Sequence, residues 1–332
     1  MYHITYWLLC QVFFGKKGNI KRRKTGKGRV HVAEKRTDLA LEVRESFPQN
    51  QVEVKGVILE KENFMEGKVQ VTKVQIKDDD GSRAMGKPKG TYITIESREL
   101  LAEGENREQL LLCVCDQLEK MVPSLKRKSV LVVGLGNREV TSDSLGPKMT
   151  EHLFITRHLE QEFGKPFMDA NEYGCVSAIA PGVMAQTGME ASELVESLVK
   201  RIKPELVIVV DALAARSVTR LCTTIQITDT GIAPGAGVGN RRKELTKETL
   251  GVPVLAIGVP TVVDAETIIS DHLECVLQKQ GYRDNEIEQF LKEILTRETE
   301  NVMVTPKNID ESINQLSQDL ADVLNHCFQK KG

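Results

Sequence analysis

Two short runs of branched apolar residues constrain the fold of this chain more than any other feature. They are Val130-Leu-Val-Val133 and Leu206-Val-Ile-Val-Val210. A run without polar alternation is typical of a strand that is covered on both faces, as in a parallel sheet. The first run leads into a loop that carries Asp143, and the second ends at Asp211. Because reactive crevices in open α/β sheets lie at the carboxyl ends of such strands, we expect both aspartates at one rim.

Strand-like and helix-like segments alternate along the chain. This predicts a three-layer αβα fold, in which a mostly parallel twisted sheet has helices on both faces. Besides the Leu206 run, the predicted strands cover residues 51–59, 68–76, 91–96, 129–134, 175–180, 223–228 and 253–259. Helical spacing of apolar residues predicts helices over residues 106–122, 145–160, 188–202, 264–279 and 309–327.

Charge divides the chain into a basic start and an acidic body. Residues 1–36 hold ten Lys or Arg and one acidic residue, which leaves 35 basic and 46 acidic residues for the rest. An acidic body argues against a duplex-DNA surface, while a basic tail suits docking on that body or on an acidic partner. No apolar stretch reaches the roughly 18 residues that a membrane-spanning helix needs. We expect no direct nucleic-acid or membrane contact.

The cysteines and histidines do not form a recognisable metal motif. Seven cysteines occur without CxxC spacing, which favours a reducing compartment with neither a disulfide framework nor a zinc site. None of the six histidines lies at a predicted strand end, where a transition-metal site would use one. We therefore expect no metal and no cofactor, and a Mg²⁺ site built from carboxylates alone remains an alternative.

Glycine-rich turns follow two of the predicted strands. Gly134-Leu-Gly136 suggests a dinucleotide fingerprint, but Glu139 stands where that motif needs its third glycine. These glycines better fit a sharp turn at a strand end, with nucleotide binding as a minor alternative. Residues 230–239 contain four glycines and precede Asn240-Arg-Arg-Lys243. That segment fits a loop beside an active site or a subunit contact better than an anion site.

Asp143 and Asp211 each have a structural and a catalytic interpretation. Asp143 could cap the helix that follows it, and Asp211 could serve as a turn or cap residue at a strand-to-helix junction. If both reach one pocket, however, they form a carboxylate pair that shares a proton. The ionised member can take a proton from water, and the protonated member can polarise a carbonyl and protonate a leaving amine. Such a pair suits peptide hydrolysis without a covalent intermediate.

Several ordered motifs resemble the germination proteases, or spore proteases, of endospore-forming bacteria. The resemblance runs from about Arg36 to the C-terminus. It is carried by Arg36-Thr-Asp-Leu-Ala-Leu-Glu-Val-Arg-Glu45, Val133-Gly-Leu-Gly-Asn137, Thr141-Ser-Asp-Ser-Leu-Gly-Pro147, Ala180-Pro-Gly-Val-Met-Ala-Gln-Thr-Gly188, Val210-Asp-Ala-Leu-Ala-Ala-Arg216 and Gly235-Ala-Gly-Val-Gly-Asn240. It implies the fold of hydrogenase-maturation endopeptidases, and it implies that Asp143 and Asp211 are the two essential aspartates. The segment before Arg36 is longer and more basic than the propeptide usual in this family.

The resemblance also implies a substrate and a processing step. Germination proteases cut small acid-soluble spore proteins at an acidic residue followed by Leu or Ile, Ala, any residue and Glu. Residues 37–42, Thr-Asp-Leu-Ala-Leu-Glu, match that sequence within this chain. The implied protein is a homotetrameric zymogen of the forespore cytoplasm or spore core. It would cut itself between Asp38 and Leu39, which separates an extension and propeptide, residues 1–38, from a single protease domain, residues 39–332.

Two other functions stay open at this point. One is a metal-dependent endopeptidase like those of hydrogenase maturation, which would use the two carboxylates as metal ligands. The other is a non-enzymatic nucleotide-binding protein, which would use the glycine turn after the first apolar run.

Overall fold

One mixed sheet forms the centre of the computed structural model, which describes residues 37–47, 54–102, 104–235, 243–294 and 302–329. All of these residues belong to one unit of contacts that spans Ala33–Gly332. The described strands are β1 Val57–Phe64, β2 Val69–Ile76, β3 Gly90–Glu96, β4 Ser129–Gly134, β5 Cys175–Ile179, β6 Leu206–Ala215, β7 Thr224–Thr228, β8 Val254–Asp264 and β9 Met303–Val304. Their order is β1-β2-β3-β7-β8-β6-β4-β5, and β9 pairs with β8.

The sheet has a parallel half and an antiparallel half. Strands β8, β6, β4 and β5 pair in parallel, whereas β1, β2, β3, β7 and β8 pair antiparallel in that order. The parallel half contains both apolar runs. The turn Met65–Gly67 joins β1 to β2 directly, and a connection this short requires antiparallel pairing. The predicted three-layer α/β class is thus confirmed, and parallel pairing is confined to the strands around β4 and β6.

Helices cover both faces of the parallel half. The described α-helices are α1 Ala40–Glu45, α2 Asp79–Met85, α3 Glu105–Met121, α4 Leu145–Glu151, α5 Arg157–Phe163, α6 Lys165–Ala170, α7 Met184–Thr187, α8 Ala191–Ile202, α9 Lys247–Leu250, α10 Ala265–Lys279, α11 Asp284–Ile294 and α12 Ile309–Phe328. None of these described helices is long and apolar enough to cross a lipid bilayer.

Alternate residues of the buried strands face opposite layers. Val130 and Val132 of β4 pack in one apolar cluster with α3, α4 and α12. Leu131 and Val133 pack in a second cluster with α8. Because both faces of β4 are covered in this way, its central residues, Val130–Val133, are all apolar, as the sequence predicts.

Some of the predicted element boundaries require correction. The helix predicted over residues 145–160 is two helices, α4 and α5, separated by residues 152–156. The hydroxyl of Thr156 donates to the carbonyl of Gly174, and its oxygen accepts from the N–H of Val176, which attaches this break to β5. The first predicted strand begins at residue 57 within the described residues, and residues 51–53 lie outside them.

A buried ion pair joins α12 to α3. Asp319 is 1 % exposed, and it accepts hydrogen bonds from Nε of Arg107 at 3.1 Å and from Nη2 of the same guanidinium. Burial raises the pKa of Asp319, and Arg107 opposes that rise. The guanidinium therefore stabilises a carboxylate that is buried between two helices.

We predict that Arg107→Ala lowers the unfolding free energy by about 3 kcal/mol at neutral pH, because it leaves a buried carboxylate uncompensated. A folded-state pKa above the unfolded value means that ionisation of Asp319 opposes folding. The defect should therefore grow as pH rises from about 4 to 7 and shrink below the unfolded pKa of about 3.9.

Urea unfolding at several pH values measures this effect. Lys120→Ala is the control, since Lys120 forms an exposed pair with Asp116 and should change stability by less than about 0.5 kcal/mol. Equal effects of the two variants at neutral pH would contradict the role of Arg107.

Candidate active site

The chain leaves β4 through a turn that only glycine fits. Gly136 has a φ of +116°, and a Cβ there would overlap the carbonyl oxygen of Asp143. A Cβ on Gly146 would lie 2.6 Å from the carbonyl oxygen of Val210. The N–H of Leu135 donates to that carbonyl at 2.8 Å. Gly136 thus permits the sharp turn that the sequence predicts, and Gly146 permits a close approach of backbone that the sequence did not reveal.

Asp143 ends the short 3₁₀ turn Thr141–Asp143 just before α4. Its Oδ2 accepts a hydrogen bond from the backbone N–H of Asn137 at 2.7 Å. The capping position of α4 belongs to Ser144, so the interpretation of Asp143 as a helix cap is wrong. The turn is also held to β8, because the hydroxyl of Thr261 donates to the carbonyl of Ser142 at 2.7 Å. The Asp143 carboxylate is therefore placed by the backbone N–H of Asn137 and by a turn that is bonded to β8.

Asp211 lies inside β6, so its interpretation as a strand-end turn or cap residue is also wrong. Strands β6 and β8 continue to pair as far as Ala215 and Val263, with an irregularity between Leu213 and Ala214. In contrast, β4 stops pairing with β6 at Gly134 and Val210. Asp211 is therefore the first residue of β6 beyond the end of β4, and the two apolar runs still deliver both aspartates to one rim.

One cavity of about 570 Å³ lies at this rim and is lined by Asp38, Asp143 and Asp211. The Asp211 side chain is buried, and its Oδ1 accepts from the N–H of Ala212 at 2.9 Å. The structure therefore brings three of the four predicted site residues to one cavity. The fourth, Leu39, packs instead into an apolar cluster.

Residues 37–42, which we call the docked segment, are held by backbone contacts along the cavity. The N–H of Asp38 donates to the carbonyl of Ala214 at 2.9 Å, and Oδ2 of Asp38 accepts from the N–H of Ala214 at 2.8 Å. Nζ of Lys87 and Nε2 of Gln226 donate to the carbonyl oxygen of Asp38 at 2.9 and 3.2 Å. Burial lowers the pKa of Lys87.

Apolar side chains of the docked segment fill two separate clusters. Leu39 is fully buried beside Leu213, Ala215, Leu221 and Val263. Ala40 is fully buried in a cluster with Val74, Ile76, Met85 and Tyr92. Since both side chains are fully buried among close-packed neighbours, a branched residue suits the first position and a small one the second.

The acidic residue of the docked segment has its own polar pocket. Glu42 is 3 % exposed, and its oxygens accept from the backbone N–H groups of Arg216 at 2.6 Å and Ser217 at 3.0 Å. The hydroxyl of Thr37 also donates to Glu42. Nη1 of Arg220 lies 3.3 Å from its Oε1. A buried carboxylate with several donors and one guanidinium is well compensated.

The sequence did not identify Lys87, Gln226 and Arg220 as site residues. Lys87 lies in Gly86-Lys-Pro-Lys-Gly90, which has the composition of an ordinary turn. Gln226 is in a predicted strand, with no local signal. Its importance follows only from a contact with a residue 188 positions away.

The glycine-rich loop after β7 lies beside this cavity as far as it is described. Residues 230–235 line the cavity, and Ile232 forms an isolated antiparallel β-bridge with Leu245. Residues 236–242, which include most of the Asn-Arg-Arg-Lys stretch, lie outside the described residues. The prediction of a loop beside the site is therefore confirmed for its first part.

Residues 37–47, 54–102, 104–235, 243–294 and 302–329 are the described ranges. Within them, no three or more His, Cys, Asp or Glu side chains come together in a way that could hold a metal ion.

Comparison with known proteins places the chain in a family. The family model described as germination protease matches residues 33–289. The chain belongs to the germination protease family. A germination protease of Caldanaerobacter subterraneus subsp. tengcongensis is 43 % identical over an alignment of 310 residues that covers 89 % of this chain and 94 % of the relative. Those of Clostridium perfringens and Bacillus subtilis are 41 % and 38 % identical, again over 89 % of this chain.

As a germination protease, the chain is an endopeptidase of bacterial spores. A solved structure also matches, a [NiFe] hydrogenase maturation protease HycI from Thermococcus kodakarensis KOD1. It is 16 % identical, covers 64 % of this chain and 98 % of its own, and has a TM-score of 0.35. This similarity is too distant to carry an argument about mechanism.

We predict that Gly136→Ala reduces peptidase activity at least tenfold, because the new Cβ would displace the carbonyl of Asp143 and strain a positive-φ turn. Gly67→Ala is the matched control. Gly67 also has a positive φ, of +89°, but nothing lies within 4 Å of its added Cβ.

Peptide cleavage and thermal unfolding of both variants test this expectation. The Gly67 variant should lose about 1 kcal/mol of stability and no activity. Unchanged activity of Gly136→Ala would show that the close contact does not position Asp143.

Proposed function

We propose that this germination protease is a self-processing zymogen that hydrolyses small acid-soluble spore proteins with Asp143 and Asp211. The observation that carries the proposal is a single cavity lined by both aspartates and by Asp38 of a substrate-like segment. The enzyme would act in the spore core, and the family resemblance favours a homotetramer.

In the proposed reaction the two carboxylates share one proton. The ionised aspartate takes a proton from water as the water oxygen attacks the carbonyl carbon of Asp38. The C–N bond to Leu39 then breaks, and the protonated aspartate gives its proton to the Leu39 nitrogen. The pair ends with one proton, as it began, and the products are a carboxyl at Asp38 and an amine at Leu39. No covalent enzyme intermediate is required.

Self-cleavage between Asp38 and Leu39 would remove residues 1–38. The support is the set of contacts on both sides of this bond, from Ala214 and Lys87 to Asp38 and from Gln226 to Ala40. These contacts fix the backbone on both sides of the bond, where Leu39 is extended just before helix α1 begins at Ala40. Such preorganisation lowers the entropic part of the barrier to hydrolysis.

The same contacts support the proposed substrate class. A leucine or isoleucine would fit the Leu39 cluster, an alanine the tight Ala40 cluster, and a glutamate the Glu42 pocket. A spore protein with an acidic residue, Leu or Ile, Ala, any residue and Glu presents these groups in the same order.

We predict that Asp143→Asn and Asp211→Asn each abolish self-cleavage and cleavage of an added spore protein while leaving the fold intact, because an amide cannot take a proton from water. Mass spectrometry of the incubated full chain reads out a new N-terminus at Leu39. Asp322→Asn is the control, since Asp322 bonds only to Gln318 among the hydrogen bonds described for it and lies on the exposed side of α12.

Normal cleavage by Asp143→Asn would refute the aspartate pair. Cleavage that a chelator stops and added metal restores would instead support the metal-dependent alternative.

We predict that Glu42→Gln slows self-cleavage at least tenfold, since it removes the charge that the Arg220 guanidinium and two backbone N–H groups stabilise. Glu45→Gln is the matched control. Glu45 also pairs with Arg220 but is half-exposed and lies outside the recognition sequence. The rate of appearance of the Leu39 N-terminus measures both. Equal rates for the two variants would contradict a recognition role for Glu42.

A further inference from the structure

The carbonyl group of Asp38 has two side-chain donors that the aspartate mechanism does not use. Nζ of Lys87 lies 2.9 Å and Nε2 of Gln226 lies 3.2 Å from its oxygen. We propose that Lys87 and Gln226 form an oxyanion site that stabilises the charge on this oxygen during hydrolysis. This inference rests on the proposed cleavage between Asp38 and Leu39.

Lys87 is held in place by a braced turn. Helix α2 ends at Met85, and Gly86 follows in the left-handed conformation. The hydroxyl of Ser82 donates to the carbonyl of Lys87 at 2.8 Å, and the hydroxyl of Tyr92 donates to the carbonyl of Pro88 at 2.9 Å. The ammonium group is therefore directed at the docked segment by a fixed backbone, as an oxyanion site requires.

The orientation of Gln226 follows from a second contact. Its Oε1 accepts from the N–H of Ala40 at 2.8 Å, so its Nε2 must face the Asp38 carbonyl. The side chain is buried on β7, between β3 and β8. Gln226 thus spans Leu39 by binding backbone groups on both sides of it, and these groups are present in any substrate.

The two donors change the division of labour at the site. A carbonyl oxygen has two lone pairs, and Lys87 and Gln226 supply one donor for each. When the water oxygen bonds to the Asp38 carbon, the C=O electron pair moves onto the oxygen, next to the ammonium. This electron pair re-forms the C=O bond when the C–N bond breaks. The protonated aspartate then needs only to protonate the Leu39 nitrogen, and polarisation of the carbonyl falls to Lys87 and Gln226.

Desolvation strengthens this arrangement. Burial lowers the pKa of Lys87, while the nearby carboxylates of Asp38 and Glu42 act in the opposite direction. A cation that has lost part of its hydration interacts more strongly with a developing oxyanion than one in bulk water. The neighbouring Lys89 differs in this respect, since it is exposed and pairs with Asp79.

Lys87→Met, Lys87→Arg and the matched control Lys89→Met test the proposal in the full chain. The first-order rate of self-cleavage is measured by mass spectrometry. Docking of residues 37–42 is measured separately by amide hydrogen exchange. We expect Lys87→Met to cleave about 10²–10³-fold more slowly with the segment still protected. Lys87→Arg should recover part of the rate, and Lys89→Met should match the wild type.

Two results would overturn the proposal. One is cleavage by Lys87→Met within threefold of the wild-type rate. The other is slow cleavage accompanied by loss of protection, which would make Lys87 an anchor of the segment. Asp143→Asn in the same assay distinguishes failure of the proposed protease function from failure of the oxyanion role alone. If it cleaves normally, or if the wild type forms no Leu39 terminus, the proposed function fails together with this one. Otherwise only the role of Lys87 is at stake.

Discussion

Close packing of bare backbone at the end of β4 is the constraint on which the site depends. Side chains at Gly134, Gly136 or Gly146 would overlap neighbouring carbonyl groups or lie within 3 Å of them. Without those side chains, the start of α4 can lie against β6, and the Asp143 turn can fold back onto the end of β4. The two aspartates reach one cavity because the backbone has no side chains at these positions, where the end of β4, the start of α4 and β6 are in contact.

Local pattern predicted the parts of this fold that local physics determines. Unbroken apolar runs predicted β4 and β6, since the parts of a strand that are covered on both faces are apolar at successive positions. The same pattern misplaced the end of β6, because it marks where polar residues begin and not where pairing stops. Asp211 is polar and still paired, because β8 continues to pair with β6 beyond the point where β4 ends. The antiparallel half was not predicted because strand direction depends on connections that hydrophobic periodicity does not record.

The site itself divides in the same way. Asp143, Asp211 and Asp38 follow from family motifs and strand ends, since each lies in a recognisable local sequence. In contrast, Lys87 lies in a turn, Gln226 in a strand and Arg220 in a short 3₁₀ helix. Their chemistry arises from convergence on one short segment, and no spacing rule within a single sequence expresses that convergence.

The contacts of the docked segment also bear on what would follow cleavage. Leu39, Ala40 and Leu41 are almost fully buried, and burial of each leucine contributes about 2 kcal/mol, which favours retention of the new terminus. Cleavage would act against this. It would remove Thr37, whose oxygen accepts from the N–H of Leu39 and whose hydroxyl donates to Glu42, and it would place a charged amine at a buried position. The bonds of Asp38 to Ala214 would be lost as well. Hydrolysis would thus weaken the binding of the new N-terminal segment, from Leu39 onward, to the site. This release is necessary for a protease that must next bind a separate substrate.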